Sequence, residues 1–369
     1  MVNNSEVGFC VIGGYDISII DNSLHNGISF YSSIPEMFSY TIENNTIYDK
    51  HIYFYTNEND GVVPNDAGQI VLVRCNNFKI QNLTISNVRT GLDQIGGGIC
   101  LLDCSKTTIQ GTNISSCYPA GLSLINSSSN MLLSNSLFNN YRGVYCEHSN
   151  RNVITNNHIQ GGGDVGILMY YSSRNTIKMN TISDYPTCVL LGSACFNRID
   201  SNTIMNKLVL ISVSVFNQIT QNHIEGGVEI NHFSLFNTLS DNIIVHSDIG
   251  IRLDMQSNSN HFISNNITNN EIGVQILNCR LNMFSRNNFI RNDVHVYFED
   301  FLFGSILPDF WRRNYWDDWN KLLPKRIEGK MIIFHITVDP EYPPDPTVLE
   351  WSYFDFFPAQ KPYGIPGMR

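Results

Sequence analysis

The sequence predicts an all-β fold, a parallel β-helix solenoid of about thirteen coils that ends in a C-terminal cap. Three observations predict it. The middle of the chain repeats every 20 to 23 residues, each repeat carries asparagine and isoleucine at fixed positions, and charged residues make up only 15% of the chain. A period of this length is typical of stacked repeats, and the shortage of charge suits strands whose equivalent side chains lie in register.

The repeat consists of an asparagine, any residue, an apolar residue, two of any kind, a second asparagine, any residue and a second apolar residue. Its apolar positions are flanked by Ser, Thr, Asn and β-branched residues, which favour short strands separated by turns. Asparagine tolerates the left-handed conformation of turns, and stacked asparagines can bond one another, so we predict an asparagine ladder between coils about 4.8 Å apart. The asparagine pairs are Asn130 and Asn135, Asn152 and Asn157, Asn175 and Asn180, Asn197 and Asn202, Asn217 and Asn222, Asn237 and Asn242, Asn260 and Asn265, and Asn282 and Asn287.

The N-terminal part of the chain predicts two coils, with Ile19, Leu24, Ile42 and Ile47 at inward positions. An elaboration follows at about residues 48–70, where an aromatic strand leads into a turn-rich segment. We predict that this elaboration is a protruding hairpin that covers one face of the solenoid, since long excursions from a solenoid lie on its surface.

Each regular coil carries a further strand after a turn glycine. Alternation along that strand places Leu122, Val144, Ile167 and Val274 inside the coil. The glycine-rich segment 91–98 lacks the lysine and the strand-to-helix context of a phosphate-binding loop, so we predict a bulged corner there.

The last coil carries tryptophan at both inward positions, Trp311 and Trp316, and a proline-rich tail follows. Large aromatic side chains that close a stack of coils indicate a terminal cap. We therefore divide the chain into a β-helix at residues 1–319 and a C-terminal cap or tail at residues 320–369.

The overall charge is acidic, with a net charge of -10 and a pI near 5.4, which argues against nucleic acid as a partner. No stretch reaches the roughly 18 apolar residues of a transmembrane segment, and the first residues do not show the basic region and apolar run that are typical of a signal peptide. Because coil register begins almost at once, at Ile17, we expect the chain to be N-terminally truncated or to begin partway along a longer solenoid.

The nine cysteines do not follow the pattern of a small disulfide-rich domain. Cys75, Cys104 and Cys279 occupy a position that holds a small residue in other coils, such as Ser127 and Ser149. We predict small, buried side chains at a tight corner. Cys75 and Cys104 fall on neighbouring coils, near enough in register for a disulfide that nothing in the sequence requires.

Together these coils resemble the right-handed parallel β-helix repeats of the NosD-like family, also described as carbohydrate-binding and sugar-hydrolase repeats. Segments 52–55, 63–78, 314–319 and 354–363 also resemble segments of archaeal secreted members. The resemblance implies a right-handed parallel β-helix in an exported or surface-attached protein, and it assigns no activity.

A glycan-binding face would present outward aromatic side chains beside polar groups. Tyr145, Glu147, Tyr170 and Tyr171 lie on two neighbouring coils and are the candidate glycan-contact residues. We predict a non-catalytic, exported or cell-surface module with a structural or adhesive role. Its partner would be a polysaccharide or cell-surface glycan.

The alternative is a carbohydrate-active lyase, hydrolase or epimerase that acts on acidic glycans. Such a site needs carboxylates and a cation on adjacent coils, and Ca²⁺ is an expected cofactor only in this case. The candidate polar cluster consists of Glu229, Asn231, His232, Arg252 and Asp254, with Glu229 beside Arg252 and Asn231 beside Asp254. No catalytic residue is assigned from the sequence.

A role in copper maturation is a further alternative that the resemblance implies. It would need His, Cys or Met side chains that converge on one ion. Cys146, His148 and Met169 come near one another in register, but Cys146 and Met169 are expected to point inward. The sequence therefore predicts no metal site and no cofactor, and it leaves the oligomeric state open.

Overall fold

The computed structural model describes residues 8–91, 95–301, 307–333 and 345–365 of the 369-residue chain. The chain divides into two compact units, Met1–Arg198 and Ile199–Arg369. Each unit is a parallel β-solenoid, with about 13 turns in the chain, and the predicted all-β solenoid is confirmed. Among the described residues the one helix is α1 (Ile34–Met37), which is too short to span a membrane.

Each coil contributes a strand to each of three parallel sheets, and the elements are numbered along the chain. The strands that begin in the first unit are β1 (Phe9–Ile12), β2 (Ser18–Ile20), β3 (Ser23–Leu24), β4 (Ile28–Tyr31), β5 (Thr41–Glu43), β6 (Thr46–Ile47), β7 (Lys50–Thr56), β8 (Ala67–Val73), β9 (Lys79–Gln81), β10 (Thr84–Ser86), β11 (Ile99–Leu102), β12 (Thr108–Gln110), β13 (Asn113–Ser115), β14 (Leu122–Ile125), β15 (Met131–Leu133), β16 (Ser136–Phe138), β17 (Arg142–Glu147), β18 (Val153–Thr155), β19 (His158–Gln160), β20 (Val165–Tyr170), β21 (Thr176–Lys178), β22 (Thr181–Gly192) and β23 (Arg198–Asp200).

The strands of the second unit follow the same three-sheet pattern. They are β24 (Thr203–Ile211), β25 (Gln218–Thr220), β26 (His223–Glu225), β27 (Val228–Ile230), β28 (Thr238–Ser240), β29 (Ile243–Val245), β30 (Ile249–Leu253), β31 (His261–Ile263), β32 (Asn266–Thr268), β33 (Ile272–Leu277), β34 (Met283–Ser285), β35 (Asn288–Ile290), β36 (Val294–Phe301), β37 (Phe310–Arg312), β38 (Tyr315–Trp316), β39 (Lys325–Ile333) and β40 (Thr347–Asp355).

The register places the repeated apolar residues directly above one another. Ile109 of β12 lies opposite Leu132 of β15, which lies opposite Ile154 of β18. These side chains are all fully buried. The strand after the turn glycine behaves as predicted, because Leu122, Val144, Ile167 and Val274 are at most 1% exposed. Burial of these aliphatic columns from water stabilises each coil against its neighbours.

Buried asparagines join the coils at the two turns of the repeat. In the first unit, Asn135 donates from its amide N–H and from Nδ2 to Asn157 Oδ1, at 2.9 Å in both cases. Asn157 repeats the pattern with Asn180 Oδ1, at 2.9 and 3.0 Å. Asn157 Nδ2 also donates to the Leu132 carbonyl at 2.9 Å. Each side chain therefore satisfies backbone groups that a buried turn would otherwise leave unpaired.

The equivalent columns of the second unit end in carboxylates. One runs Asn217, Asn237, Asn260, Asn282 and Asp309, whose Oδ1 accepts from the Asn282 N–H at 2.8 Å. The other runs from Asn202 through Asn222, Asn242, Asn265, Asn287 and Asn314 to Asp355, whose Oδ2 accepts from the Asn314 N–H at 2.8 Å.

A third asparagine position lies at the corner between the second and third sheets, and the sequence reasoning missed it. Asn140 Oδ1 accepts from the Cys117 N–H at 3.0 Å in the first unit. In the second unit, Asn270 Nδ2 donates to Asn292 Oδ1 at 3.0 Å. Asparagine thus supports all three corners of a coil, although the third column is interrupted.

The small-residue column also has a hydrogen-bonding role. The Cys104 N–H donates to Ser127 Oγ at 2.9 Å, and the Ser127 N–H donates to Ser149 Oγ at 3.0 Å. The Cys75 N–H donates to Cys104 Sγ at 3.4 Å. Cys75 and Cys104 are free thiols and not a disulfide. The thiols stand in for serine hydroxyls, which explains why these two residue types alternate at one position.

The segment predicted as a protruding hairpin is instead part of the solenoid. The first residues of β7 pair antiparallel with β6, but β7 and β8, the two strands of the predicted hairpin, pair in parallel. The loop between β7 and β8 adds parallel bridges from Asn59 to Asn76 and from Val62 to Lys79. A hairpin would require an antiparallel pair. The residues between the two strands are therefore long enough to complete a coil. In the glycine-rich segment, residues 92–94 of the predicted bulged corner lie outside the described residues.

The C-terminal end of the second unit departs from the parallel pattern. β39 and β40 pair antiparallel, and β39 also pairs with β36. Trp311 stacks on Phe284 and Trp316 stacks on Phe289, each with ring centroids 4.2 Å apart. The aromatic side chains and the antiparallel strand pair lie at the end of the second unit where the sequence predicts a C-terminal cap.

Replacing the buried Asp309 by asparagine is expected to stabilise the protein at neutral pH by about 1 to 3 kcal/mol. Burial raises the pKa of Asp309 well above its usual value, although the Asn282 N–H opposes the shift. A raised folded-state pKa means that stability is fully present below the unfolded value of 3.8 and falls as the pH rises through the folded value.

Urea denaturation of wild type and Asp309→Asn at several pH values checks this expectation. The difference in unfolding free energy should be small near pH 4 and should grow towards neutral pH. Asp241→Asn, which changes a half-buried carboxylate elsewhere in the unit, serves as the control. A pH-independent difference would contradict the assignment of the effect to this carboxyl group.

Candidate ligand-binding grooves

A groove of the first unit lies at the corner between its second and third sheets. We call it the corner groove. Its volume is about 770 Å³, and its lining includes Arg89, Tyr118, Asn139, Tyr141 and Gly163. Volumes of this size are typical of small-ligand sites. Sequence reasoning placed no site here, because the lining comes from turns that the repeat motif does not cover.

The register aligns the groove's long side chains across three successive coils. Arg89 forms a parallel bridge with Tyr118, and the Tyr141 N–H donates to the Cys117 carbonyl at 3.0 Å. The rings of Tyr118 and Tyr141 lie 4.8 Å apart with an interplanar angle of 52°. The groove therefore follows the stacking direction of the coils and presents two aromatic rings along it.

Arg142 lies next to the corner groove and contacts Tyr141, one of its lining residues. Its guanidinium carbon lies 5.7 Å from the centre of the Tyr141 ring and 5.3 Å from that of Tyr145. Its Nε donates to Asp164 Oδ2 at 3.0 Å, and the arginine side chain is only 19% exposed. A half-buried ion pair of this kind, combined with cation–π contacts, holds Tyr141 in place.

Glycine leaves the far end of the corner groove open. A Cβ atom on Gly163 would lie 2.3 Å from the Tyr141 carbonyl oxygen, so any other residue would push this coil away from its neighbour. A Cβ atom on Gly162 would meet no atom within 4 Å. Below them Asn140 is fixed by the bond from the Cys117 N–H and by its own bond to the Ile114 carbonyl. Hydrogen bonds therefore fix the Asn140 side chain below the groove, and the space beside Gly162 is open.

The predicted glycan-contact residues lie on the third sheet beside this groove. Tyr145 OH donates to Glu147 Oε2 at 2.8 Å, and burial followed by this bond raises the pKa of Tyr145. Glu147 lies opposite Tyr170, and Tyr171 stacks on His148 at 5.0 Å between centroids. The structure brings these residues onto two adjacent coils, but Tyr145 lies opposite Leu168 and not opposite another tyrosine.

The predicted polar cluster lies in the second unit, beside a groove of about 380 Å³ that we call the charged groove. Glu229 and Arg252 line it and are register partners, as their spacing predicts. Asn231 Nδ2 donates to Glu229 Oε1 at 2.9 Å, and Arg252 donates to Asp254 Oδ2 at 3.1 Å. The ion pair therefore forms between Arg252 and Asp254, two residues apart in the sequence, and not between Glu229 and Arg252. His232 is exposed outside the lining.

The charged groove also contains residues that sequence reasoning missed. Lys207 enters it from β24, His246 and Asp248 enter it two coils further on, and the coil between them carries Gly226 and Gly227. These residues lie at corners of different lengths. Their spacing from the asparagine motif varies, so the motif alone does not align them.

One cluster has the spacing of a metal site. His295, Asp317 and Asp318 each offer a ligand atom, and these atoms lie within 4.8 Å of one another. His295 Nε2 lies 2.9 Å from Asp317 Oδ1 and 3.5 Å from Asp318 Oδ1. Burial lowers the pKa of His295, against the opposing effect of the two carboxylates, which favours the neutral ring. One imidazole and two carboxylates is a donor set that copper(II) accepts.

The proton of His295 decides whether this cluster fits a metal. Asn292 Oδ1 accepts from the Asn270 N–H and Nδ2, which fixes the orientation of the Asn292 amide. The Asn292 Nδ2 donor therefore faces His295 Nδ1, at 3.3 Å. In the neutral ring Nδ1 must accept, so Nε2 carries the proton and donates it to Asp317. Lys325 Nζ already lies 2.6 Å from Asp318. The cluster is a complete hydrogen-bonded network, and it does not fit a copper ion.

The cysteines give no better copper site among the described residues. Soft thiolates suit copper(I), and Cys75 and Cys104 are neighbours on adjacent coils. Both are 1% exposed, and the bond to Cys75 together with burial raises the pKa of Cys104. Cys104 Sγ also donates to the Leu72 and Leu102 carbonyls, at 3.3 and 3.2 Å. Cys146 and Met169 point inward and are fully buried.

Comparisons with known proteins give one family. Residues 43–234, a little over half of the chain, match the family described as "Periplasmic copper-binding protein (NosD)". No curated protein matches the chain.

Several solved structures are similar at low identity. The periplasmic alginate epimerase AlgG is 14% identical, over 69% of this chain and 74% of that chain, with a TM-score of 0.41. The catalytic domain of a GH87 alpha-1,3-glucanase in complex with nigerose is 12% identical over 79% and 59%, with a TM-score of 0.36. The Dettilon tailspike protein is 14% identical over 76% and 60%, with a TM-score of 0.45.

Proposed function

Because the chain belongs to the NosD family of periplasmic copper-binding proteins, we propose that it acts outside the cytoplasm as a non-catalytic solenoid module whose corner groove binds a glycan. The observation that carries the proposal is the pair of neighbouring tyrosine rings, Tyr118 and Tyr141, that lines the groove. Aromatic faces pack against the apolar faces of sugar rings, while polar groups beside them bind hydroxyls.

The direction of the groove favours an extended ligand. Arg89, Tyr118 and Tyr141 lie on three successive coils, so the groove follows the stack and does not close around a single small molecule. Ser116 and Asn139 add a hydroxyl and an amide to the lining. A chain of sugar units would place its rings along this line and its hydroxyls against these groups.

The lining favours binding over catalysis. Among the described residues that line the corner groove there is no Asp, Glu or His. General acid–base chemistry on a glycosidic bond depends on such groups. The role that we propose is therefore structural or adhesive, at the cell envelope or surface. Copper is not part of the proposal, because neither donor cluster described above fits the ion.

Replacing Tyr141 by alanine is expected to weaken glycan binding about tenfold, because loss of one stacking ring costs on the order of 1.4 kcal/mol. The glycan would first be identified on an array of neutral and acidic oligosaccharides. Its affinity for wild type, Tyr141→Ala and the double variant with Tyr118→Ala would then be measured by calorimetry. The double variant should bind more weakly than either single variant.

Tyr31→Ala is the matched control, because Tyr31 is 64% exposed and lies outside the groove. Circular dichroism establishes that each variant keeps its β-structure. If Tyr141→Ala binds the glycan with the affinity of the wild type, the corner groove is not the glycan site. A uronate polymer would be incubated with the protein and examined for unsaturated or epimerised products. Formation of such products would show that the protein is an enzyme and not a non-catalytic binding module.

A further inference from the structure

The charged groove of the second unit has the features of a second ligand site. It lies at the same kind of corner as the corner groove, between the second and third sheets, and Lys207, Gly227 and Asp248 enter it from successive coils. We propose that it binds the carboxylate of an acidic sugar, a uronic acid unit within a glycan. The identification of the ligand as a glycan rests on the proposed function, whereas the groove and its charges are independent of it.

Two consecutive glycines create the space. Gly226 and Gly227 have φ of +80° and +85°, a conformation that residues with side chains rarely adopt. A Cβ atom on Gly227 would lie 2.2 Å from the Ile249 carbonyl oxygen. The coil therefore turns here without side chains, while the coils on either side present Lys207 and Asp248. A cleft results between two charged walls.

The cations of the charged groove are incompletely neutralised. Lys207 is exposed, and no carboxylate among the described residues lies within ion-pair distance of its ammonium group. Arg252 bonds Asp254, two residues further along the chain, and its buried Nε has no partner in the described part of the chain. The carboxylate of Glu229 accepts from Asn231, so Lys207 has no carboxylate from this wall of the groove. A ligand that brings one negative charge would supply the partner that Lys207 lacks.

The carboxylates of the charged groove disfavour densely charged anions and allow an anion with a single charge and several hydroxyls. Glu229 and Asp248 line it together with the two cations. A densely charged polyanion would be repelled by them and by the net charge of -10. A uronic acid has one carboxylate and several hydroxyls on each ring. Its carboxylate suits Lys207 and Arg252, and its hydroxyls can donate to Glu229 and Asp248.

Replacing Lys207 by glutamine is expected to weaken binding of a uronic acid oligomer about fivefold to tenfold and to leave binding of the matched neutral oligomer unchanged. The full chain would be titrated with galacturonic acid oligomers, galactose oligomers of the same length, a sulfated oligosaccharide and inorganic phosphate. Wild type should prefer the uronic acid oligomer, and that preference should shrink as salt is added.

Arg286→Gln is the matched control, because Arg286 is an exposed cation of the same unit outside the charged groove. Tyr141→Ala separates this site from the corner groove. If the preference for uronic acid depends on Lys207 and survives Tyr141→Ala, the charged groove stands even where the corner groove fails. Equal affinity for acidic and neutral oligomers, no effect of Lys207→Gln, or equal binding of phosphate would each overturn the proposal.

Discussion

Replacing Asn265 by alanine is expected to lower the free energy of unfolding by about 3 to 5 kcal/mol, because several buried hydrogen bonds are lost together. Asn265 is fully buried. Its Oδ1 accepts from the Asn242 N–H at 3.1 Å and from Asn242 Nδ2 at 2.9 Å. Its Nδ2 donates to the Leu239 carbonyl at 2.9 Å and to Asn287 Oδ1 at 3.0 Å. Alanine leaves backbone groups on neighbouring coils without partners and away from water.

Urea denaturation followed by circular dichroism measures this loss, and hydrogen exchange locates it. The amide of Asn242 should exchange much faster in Asn265→Ala than in the wild type. Gln218→Ala removes a comparable amide from an exposed strand position and should change stability by about 0.5 kcal/mol or less. A loss below about 1 kcal/mol for Asn265→Ala would mean that the column contributes little to folding.

Replacing Asp355 by alanine is expected to cost a similar amount, about 4 to 6 kcal/mol, and to release the C-terminal cap. The carboxylate is fully buried, and its Oδ2 accepts from the Asn314 N–H, Asn314 Nδ2 and Trp316 Nε1, at 2.8, 3.1 and 3.3 Å. Its Oδ1 accepts from the N–H groups of Arg313 and Phe357, at 3.0 and 3.2 Å. Removal of the Asp355 side chain therefore leaves several backbone and side-chain N–H groups without an acceptor.

Tryptophan fluorescence reports on this prediction, because Trp316 is 1% exposed in the wild type and would become solvated. We expect a red-shifted emission and a lower midpoint of unfolding for Asp355→Ala. Asp355→Asn retains one acceptor atom and should be intermediate. Asp345→Ala removes an exposed carboxylate just before β40 and should behave as wild type. Wild-type emission and stability in Asp355→Ala would show that the cap does not depend on this side chain.

Much of the fold could be predicted because two independent signals in the repeat, the isoleucine spacing and the asparagine spacing, indicate the same coils. Isoleucine at fixed spacing identifies the inward positions, and asparagine at fixed spacing identifies the turns, so Asn135 and Asn157 could be aligned from their spacing alone. The third asparagine position was missed because glycines or longer strands interrupt it between Asn140 and Asn270. The role of Asp355 was hidden for another reason. It lies 41 residues beyond Asn314, outside any repeat.

The grooves were less predictable than the fold, because they form where glycines leave the corners without side chains. Glu229 and Arg252 share a motif position, so their adjacency followed from the spacing. The space beside them depends on Gly226 and Gly227, whose effect on neighbouring coils is visible only in three dimensions. Tyr118 and Tyr141 likewise belong to turns of unequal length. Their contact required the register that the strands provide.

The carboxylates at the ends of the asparagine columns have a consequence for self-association. An asparagine both accepts and donates, so each one can pass the pattern on to another. Asp309 and Asp355, when ionised, accept only, and they offer no N–H to a side chain beyond them. Both carboxyl groups are buried, so the two columns end inside the molecule and present no asparagine amide to a second molecule at this end. The columns therefore offer no template for further coils, which opposes growth into a cross-β fibre.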